Sequence, residues 1–555
     1  MFWVALSIRG GGIDSPRPAS QRAAALVLTA ALLTGAAFPA FADTYYIEDG
    51  DITISAGKDG NDVTQNEKTT YGDKDTIITN QKTDKASSNT VTINAEDKND
   101  KVEVTLKDVN IDTSSRNNAA VSVTGSGNTT IKLDGDNHLT GGISDNGSYG
   151  LSGISSSGSL TISGGETDSL TAQGGSGTDG SGGRGIFSKD LTISGGTVNA
   201  NGGDGKNGSG GSGITSLGSL TISGGTVNAA GGDGTNSSDG GDGITNNRGV
   251  TISSGGTVTA KGGSGEDGSG GRGISSFGGV TISSGGTVTA TGGNSTGSDG
   301  SGGDGISSTS TTISGGTVTA DGGSGNFSGG NGIRSFDVAI SGGTVNVAGG
   351  NGGNGSGSDV GNGIYSSDID LSGSLELTAK AGSPNGKALS QRGNELDLDD
   401  IKDKLGPGAK VTAINANGDS KQVSIPRPVE PEEPVIPGDS SSSSGGSSAD
   451  ASVQESVFPG LVVTDKDGQR ISYTSIRGNN VLSLRVGRFT ASLHASLSTL
   501  RQLRAEGIDT ITFQTILCST TLSVDELLAM GGEDTEVVLT HHIRSSTLTV
   551  GGKAV

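Results

Sequence analysis

A short sequence unit recurs along the chain, and this repeat constrains the fold more than any other feature. Each unit begins with a Gly-Ile pair, and successive pairs are 27 to 32 residues apart. A unit of this size cannot bury a hydrophobic core by itself, so it must stack on its neighbours and form a solenoid. The pairs are Gly153-Ile154, Gly185-Ile186, Gly213-Ile214, Gly243-Ile244, Gly273-Ile274, Gly305-Ile306, Gly332-Ile333 and Gly363-Ile364.

Within one unit, the pattern of apolar residues predicts three short strands. In the unit that begins at Gly213, the first strand contains Ile214, the second is Leu220-Thr-Ile-Ser223 and the third is Thr226-Val-Asn-Ala229. Apolar and polar residues alternate in the second and third strands, as in a strand with one buried face. Gly224-Gly225 supplies the corner between them. We therefore predict an all-β fold, a right-handed parallel β-helix solenoid with three strands per coil.

Stacking of these units predicts inward rows of like residues along the solenoid axis, where β-branched side chains suit a pleated surface. A polar outward row is expected as well, and it is either a surface for a long polysaccharide or simply a solvated sheet face. The inward rows are Ile186, Ile214, Ile244, Ile274, Ile306 and Ile333; Ile193, Ile222, Ile252, Ile282 and Ile313; and Val198, Val227, Val258, Val288 and Val318. The outward row is Thr192, Thr221, Thr251 and Thr281.

The composition narrows the class of protein. Glycine supplies 102 of the 555 residues but does not fall at every third position, which excludes collagen. A disordered Gly-rich chain would not need three separate apolar rows. The formal net charge of −22 argues against nucleic acid and anionic membrane surfaces as partners, because these require Lys and Arg. The same acidic balance permits divalent cations.

The N-terminal residues have the pattern of an export signal. Arginine precedes an apolar run from Ala23 to Phe38, and Ala40-Phe41-Ala42 has the small-x-small form of a cleavage site. We predict a secreted, extracellular or cell-surface protein that has no integral membrane segment after cleavage; the alternative is a membrane anchor. The single cysteine, Cys518, allows no intrachain disulfide, and an exported chain without disulfides favours a bacterial origin.

Changes in composition along the chain predict separate domains, joined by a linker that is first Pro-rich and then Ser/Gly-rich. The domains are a signal peptide (1–42), N-terminal β-helix coils (43–150), regular β-helix repeats (151–380), a C-terminal cap of the solenoid (381–425), a linker (426–455) and a small α+β module of unknown function (456–555). In the cap, Glu395 to Leu405 predicts a short helix or a covering segment. In the module, Ser496 to Gly507 predicts a helix, Ser523-Val-Asp-Glu526 a capping box, and Cys518 a small buried apolar residue.

Carboxylates recur in the loops and form the best candidate site. Carboxylates stacked about 5 Å apart repel one another unless a cation bridges them, and Ca²⁺ accepts oxygens from carboxylates, carbonyls and water. Gly262-Gly-Ser-Gly-Glu-Asp267 resembles the start of a calcium-binding nonapeptide, although the period here is not nine. The alternative is that Asp and Gly form soluble turns. The candidate calcium ligands are Asp204, Asp233, Asp239, Asp242, Asp267, Asp299 and Asp304.

Signatures of catalysis are sparse. His138 and His494 are isolated, and His541-His542 has no partners at a spacing typical of zinc. Arg184 and Arg272 recur with the repeat, as structural residues do, whereas an active site needs one singular constellation. We therefore expect no catalytic residues and no enzymatic activity.

Four aromatic residues lie within three positions after a Gly-Ile pair: Phe187, Phe277, Phe336 and Tyr365. Aromatic rings often serve as platforms for sugars, so these residues could form a sparse stacking line. Alternatively, they cover the ends of the apolar rows.

Three segments resemble secreted bacterial carbohydrate-binding β-helix proteins. They are Val102-Glu-Val-Thr-Leu-Lys-Asp-Val-Asn-Ile111, Gly127-Asn-Thr-Thr-Ile-Lys-Leu-Asp-Gly-Asp-Asn137 and Leu160-Thr-Ile-Ser-Gly-Gly165, and the resemblance extends over residues 44–380. It implies a right-handed parallel β-helix that binds polysaccharide, with calcium as a candidate cofactor and without established catalysis. The C-terminal module lies outside it.

The expected function is therefore that of a secreted, non-catalytic protein that binds a cell-wall or host polysaccharide. Two alternatives remain from the sequence. One is a structural or adhesive cell-surface stalk that presents the C-terminal module, and the other is a polysaccharide lyase.

Overall fold

The structure, a computed structural model, describes residues 43–426 except 146, 284 and 354–360, and residues 460–554 except 466–467, 472, 479, 487, 489, 516–517, 531–534, 543–545 and 552. The predicted signal peptide, and the predicted linker apart from Pro426, lie outside the described residues. The chain divides into two compact units, with the division between residues 431 and 432.

The first unit is a parallel β-solenoid of about 14 turns. Its strands lie on three faces, which we call the first, second and third face in the order in which the chain visits them. From residue 274 onwards, single strands continue from one face to the next. The first-face strands are Ile52–Ala56, Val91–Ala95, Val121–Gly125, Ile154–Ser156, Ile186–Ser188, Ile214–Ser216, Ile244–Asn246 and Leu389–Gln391.

The other two faces follow the same stacking. On the second face lie Thr76–Thr79, Lys101–Lys107, Asn128–Asp134, Ser159–Ser163, Asp190–Ile193, Ser219–Ile222 and Gly249–Ile252, and Thr44–Tyr46 pairs with the first of these. On the third face lie Asn110–Asp112, Asp136–Thr140, Ser169–Gln173, Thr197–Asn201, Thr226–Ala230, Thr257–Lys261, Thr287–Thr291 and Lys410–Ile414. The strands that continue between faces are Ile274–Ile282, Ile306–Asp321, Ile333–Ala348 and Ile364–Lys380.

The register of the strands confirms the predicted inward rows. Ile186 pairs with Ile214 and Ile214 with Ile244, and the row continues in the same register to Ile364. The second row, from Ile193 to Ile313, and the third, from Val198 to Val318, are likewise in register. All of these side chains are buried, with at most 1% of their surface exposed. The outward Thr row is half-buried to exposed, as expected.

Antiparallel hairpins flank both ends of the solenoid, and the sequence pattern did not predict them. At the N-terminal end, Asn61–Gln65 and Lys68–Asp73 pair antiparallel beside the first coil, close to a 3₁₀ turn at Ile47–Asp49. At the C-terminal end, Ser420–Ser424 pairs antiparallel with the last third-face strand. Because an open strand edge is a template for pairing with other chains, such hairpins help to end the sheet.

The segment predicted as a short helix before Gly406 is different in the structure. It contains the two-residue strand Asn394–Glu395 and a 3₁₀ turn at Lys402–Lys404. Its Leu398 and Ile401 are nevertheless buried against the solenoid core, which agrees with a covering role. The strand Lys410–Ile414 pairs parallel with Ile364–Lys380, so one further coil follows the coil that the sequence suggested as the last.

The second unit contains two sheets and two helices around its own core. One sheet comprises Leu461–Thr464, Ala491–Ser496, Glu536–His541, Ser546–Val550 and Lys553–Ala554; the other comprises Thr474–Gly478, Val481–Arg485, Thr510–Gln514 and Ser519–Ser523. The helices are Leu497–Ala505 and Val524–Leu528.

Both predicted helix starts in this unit are confirmed. The Ser496 side chain accepts a hydrogen bond from the N–H of Thr499, and the Ser523 side chain accepts one from the N–H of Glu526. Cys518, predicted to be buried, is only half-buried, and its Sγ lies 3.1 Å from the carbonyl oxygen of His542.

Candidate functional site

A long open groove lies where the loops return from the third face to the first face of the next coil. We call it the loop groove; its volume is about 590 Å³. Each coil contributes a Ser-Gly-Gly or Asp-Gly-Gly segment followed by one polar residue, so the floor is backbone and polar side chains stand along its rim. It is lined by Ser209, Gly210, Ser212, Asp239, Gly240, Gly241, Asp242, Ser269, Gly270, Gly271, Arg272, Ser301, Gly302, Gly303, Asp304, Phe327, Ser328, Gly329, Gly330, Asn331, Arg334, Asn362 and Tyr365.

The floor is held by a column of hydrogen bonds between glycines, which we call the glycine column. The N–H of Gly211 donates to the oxygen of Gly203, the N–H of Gly232 donates to Gly211, and the N–H of Gly241 donates to Gly232, each at 2.8 Å. A Cβ atom on Gly211 would lie 1.9 Å from the oxygen of Gly183 in the preceding coil. Only glycine fits this spacing, which explains why paired glycines recur in every loop.

One row of side chains along the groove links each coil to the next. Asp242 Oδ1 accepts a hydrogen bond from the N–H of Arg272 at 2.7 Å, and Asp304 Oδ1 accepts one from the N–H of Asn331 at 2.7 Å. Asn331 Oδ1 then accepts from the N–H of Asn362 at 3.0 Å. The same position is thus filled by Asp or Asn in successive coils, and in each case the side chain satisfies a backbone donor that the irregular loop would otherwise leave unpaired.

The charged groups in the groove are close to one another. Arg272 Nε lies 3.8 Å from Asp304 Oδ2, and the Asp304 side chain is almost completely buried. Asp242 also accepts a hydrogen bond from the Thr245 hydroxyl. Burial raises the pKa of the Asp242 carboxyl above its ordinary value, and the hydrogen bond from Arg272 and the charge of that residue oppose this shift only in part.

The structure distributes the seven candidate calcium ligands over three places. Two of them, Asp204 and Asp233, lie on the other leg of the loops, where Asp204 Oδ1 accepts a hydrogen bond from the N–H of Asp233 at 2.9 Å. Asp239, Asp242 and Asp304 lie in the loop groove, and Asp239 Oδ1 accepts from the N–H of Ser269 at 2.7 Å. Asp267 and Asp299 are exposed near the loop tips.

The prediction of calcium stays a prediction, because several candidate carboxylates already have a hydrogen-bonding role. The sequence reasoning missed this role as an acceptor between coils. Within the described ranges, no group of three or more His, Cys, Asp or Glu side chains is placed to hold a metal ion. The replacement of Asp by Asn at the same row position was a visible signal for hydrogen bonding, since Asn conserves the acceptor but not the charge.

The four aromatic residues that follow Gly-Ile pairs fall into two rows. Phe187 and Tyr365 come directly after the Ile, and Tyr365 lines the loop groove. Phe277 and Phe336 come three residues after the Ile, and 74% and 67% of their surfaces are exposed. The suggestion that these residues cover the ends of the apolar rows is therefore wrong for Phe277 and Phe336. Phe327 is a further aromatic residue of the loop groove, and the search for positions near Gly-Ile pairs did not find it.

Comparison with protein-family models, with curated proteins and with solved structures finds no match for this chain. The resemblance to carbohydrate-binding β-helix proteins therefore stays a prediction, whereas the β-solenoid that it implied is present. In the part of the chain that is described, no helix is both long enough and apolar enough to cross a membrane.

Proposed function

We propose that the solenoid of this exported chain binds a polysaccharide along the loop groove and does not cleave it. The observation that supports this proposal is the groove itself, which is open and runs across six coils, from the coil of Ser212 to the coil of Asn362. At roughly 4.8 Å between neighbouring strands, five steps between coils make a line of about 24 Å. A line of this length matches several consecutive sugar residues better than it matches a small compact ligand.

The chemistry of the lining supports a sugar ligand. Hydroxyl, amide and backbone groups alternate along the groove with the charged side chains described above, and sugars present hydroxyls that both donate and accept hydrogen bonds. At one end of the groove, Tyr365 and Phe327 supply apolar ring surface. The few well-placed polar groups and the aromatic rings together are typical of ligand sites.

Arg334 adds a charged donor at the same end. It is exposed, and no ion pair of its guanidinium group occurs among the described residues. In the register of the strands it pairs with Tyr365 in the next coil. A guanidinium fork beside an aromatic ring can donate several hydrogen bonds to adjacent oxygens of a sugar.

The repeated character of the groove favours binding over catalysis. Asp242, Asp304 and Asn331 do the same structural work in different coils, each accepting a backbone hydrogen bond from the next coil. A cleavage site needs one arrangement that differs from its neighbours. A row of similar coils instead presents the same contacts repeatedly, as a repeating polymer requires.

The proposal is tested by retention of the full chain on a panel of soluble and insoluble polysaccharides, with and without a calcium chelator. Tyr365→Ser and Arg334→Gln are expected to weaken retention on the polymer that binds. Tyr71→Ser is the matched control, because Tyr71 is 78% exposed and lies on the N-terminal hairpin, outside the groove. Absence of retention on every polymer, or equal losses in groove and control variants, would refute the proposal. Loss of retention with the chelator alone would support the calcium prediction.

One observation favours polysaccharide lyase activity as a second candidate. Asp242, whose carboxyl has a raised pKa, is next to Arg272 in the groove, and carboxyl groups with shifted pKa values are concentrated at active sites. A lyase would release unsaturated oligosaccharides that absorb ultraviolet light, and Asp242→Asn would abolish that release. No increase in absorbance with any acidic polysaccharide would exclude this candidate.

A further inference from the structure

A second row of exposed side chains runs along the solenoid between the first and second faces. We call it the corner row; its members are the third residues after the Ile of each Gly-Ile pair. They are Lys189, Leu217, Asn247, Phe277, Thr309, Phe336 and Ser367, and all seven are exposed. None of these residues lines the loop groove, so the corner row is a separate surface.

Hydrogen bonds between neighbouring coils hold this row together. The N–H of Leu217 donates to the oxygen of Ser188 at 3.0 Å, which lies beside Lys189 in the preceding coil. The Thr309 hydroxyl donates to the oxygen of Phe277 at 2.6 Å. The positions are therefore stacked coil on coil rather than scattered over the surface.

The corner row alternates strictly between polar and apolar residues. The apolar members are Leu217, Phe277 and Phe336, with 45%, 74% and 67% of their surfaces exposed. Each is separated from the next by one coil that carries a polar residue, Asn247 or Thr309. Isolated exposed apolar residues are normal on a protein surface, but three of them at one position of every second coil form a periodic arrangement.

The period of this arrangement is set by the fold. Neighbouring coils are roughly 4.8 Å apart, so apolar members two coils apart are separated by about 10 Å along the axis. In an extended β-1,4-linked glycan, successive sugars are rotated by half a turn, and only every second ring presents the same face. The two-sugar repeat of such a chain is close in length to two coils of the solenoid.

We propose that the corner row binds a single extended, uncharged β-1,4-linked hexose polymer, of the cellulose or chitin type. Phe277 and Phe336 stack on alternate rings, and Leu217 provides the third apolar platform. Asn247 and Thr309 lie beside the intervening rings, where an amide or hydroxyl group meets the hydroxyl or acetamido groups on the edge of the sugar. This proposal concerns a surface distinct from the loop groove and does not depend on binding there.

The charge of the row agrees with a neutral polymer. Lys189 at one end is its only charged member, whereas the whole chain has a formal net charge of −22. A polyanion would be repelled by the chain as a whole and would find only this one cation in the row. A neutral polymer encounters no such barrier, and its sugar rings have the apolar faces that aromatic side chains bind.

The test uses the full chain and its binding to microcrystalline cellulose and chitin, measured as depletion isotherms. The double variant Phe277→Ser/Phe336→Ser is expected to bind at least about tenfold more weakly, because it removes two aromatic platforms from one row. Tyr71→Ser, on the N-terminal hairpin, and Tyr365→Ser, in the loop groove, are expected to bind these two polymers as the wild type does. Equal binding of the double variant and the wild type would overturn the proposal.

A third variant distinguishes a matched period from general stickiness. Asn247→Phe places an aromatic ring between two apolar members and breaks the two-coil period. It is expected to weaken binding to cellulose and chitin, whereas a merely hydrophobic surface would bind more strongly. Stronger binding of Asn247→Phe, or an equal loss of the double variant on a helical β-1,3-glucan, would overturn the assignment to β-1,4-linked chains.

Sedimentation of the same proteins tests the competing occupant, which is a second copy of the chain. Self-association of the wild type that is lost in the double variant, without retention on either polymer, would show that the row joins two molecules, and would overturn the proposal. A variant that affects only the loop groove leaves this result unchanged, so failure of one proposal is distinguishable from failure of the other.

Discussion

The glycine column predicts that a single methyl group destabilises the solenoid far more than the small size of the change suggests. In Gly241→Ala, the new Cβ would lie 2.0 Å from the oxygen of Gly211, which is about 1 Å closer than real Cβ contacts allow. The N–H of Gly241 also donates to Gly232, and its oxygen accepts from Gly263, both at 2.8 Å. To relieve the clash, neighbouring coils must separate and weaken both bonds.

The magnitude follows from these two effects. Each backbone hydrogen bond contributes about 1 kcal/mol to stability, and forcing a methyl group into a packed site costs about 1–3 kcal/mol. The free energy of unfolding of the affected coils is therefore expected to fall by about 3–5 kcal/mol. Gly249→Ala is the matched control, because the nearest atom to its Cβ would be 3.5 Å away, an ordinary contact. Its effect should stay within about 0.5 kcal/mol.

Hydrogen exchange resolved by segment is the appropriate assay, because repeat proteins unfold coil by coil rather than in one step. Gly241→Ala should lose protection in the loops on both sides of residue 241 and lower the midpoint of urea unfolding, whereas Gly249→Ala should do neither. Similar protection and similar midpoints in the two variants would refute the idea that the column requires glycine.

Three further predictions concern the core, the groove and the second unit. Ile222→Ala leaves a cavity in a fully buried row and should cost about 2–5 kcal/mol, whereas Thr221→Ala beside it should change stability by less than about 0.5 kcal/mol, as measured by urea unfolding. The raised pKa of Asp242 means that the folded state holds its proton more tightly, so stability falls as pH rises from the ordinary carboxyl range through the folded pKa; Asp242→Asn should match the wild type at low pH and exceed it at pH 7 in thermal unfolding. Ser496→Ala removes a helix N-cap and should destabilise the second unit by about 1 kcal/mol in denaturant unfolding, with no effect on the solenoid.

The core of the solenoid could be predicted from the sequence because its physical cause is local and repeated. Ile214 or Val227 must point inward whenever its neighbours do, so the two-residue period of each strand and the 27- to 32-residue period of the chain agree. The same holds for the helix starts at Ser496 and Ser523, where a side chain caps its own segment. In each case the residues that determine the structure are close to one another in the sequence.

The site was less predictable because its contacts join residues about 30 positions apart. The Asp242 side chain was read as a metal ligand from its charge, but the structure shows that its oxygen accepts a hydrogen bond from the next coil. The exposure of Phe277 and Phe336 was also not deducible, because an aromatic residue at a corner can fold over the core or away from it. The hairpins at the two ends lie outside the repeat, so the period carries no information about them.

The row of Asp and Asn acceptors has a consequence for how such a chain can change in length. Every coil offers an acceptor to its successor and takes one from its predecessor, so the joints are chemically interchangeable, as Asp304 and Asn331 illustrate. Duplication or loss of one whole unit would leave no donor stranded at the new junction. Gene rearrangement can therefore lengthen or shorten this molecule in steps of a coil, and the reach of its surfaces would be adjusted without redesigning any contact.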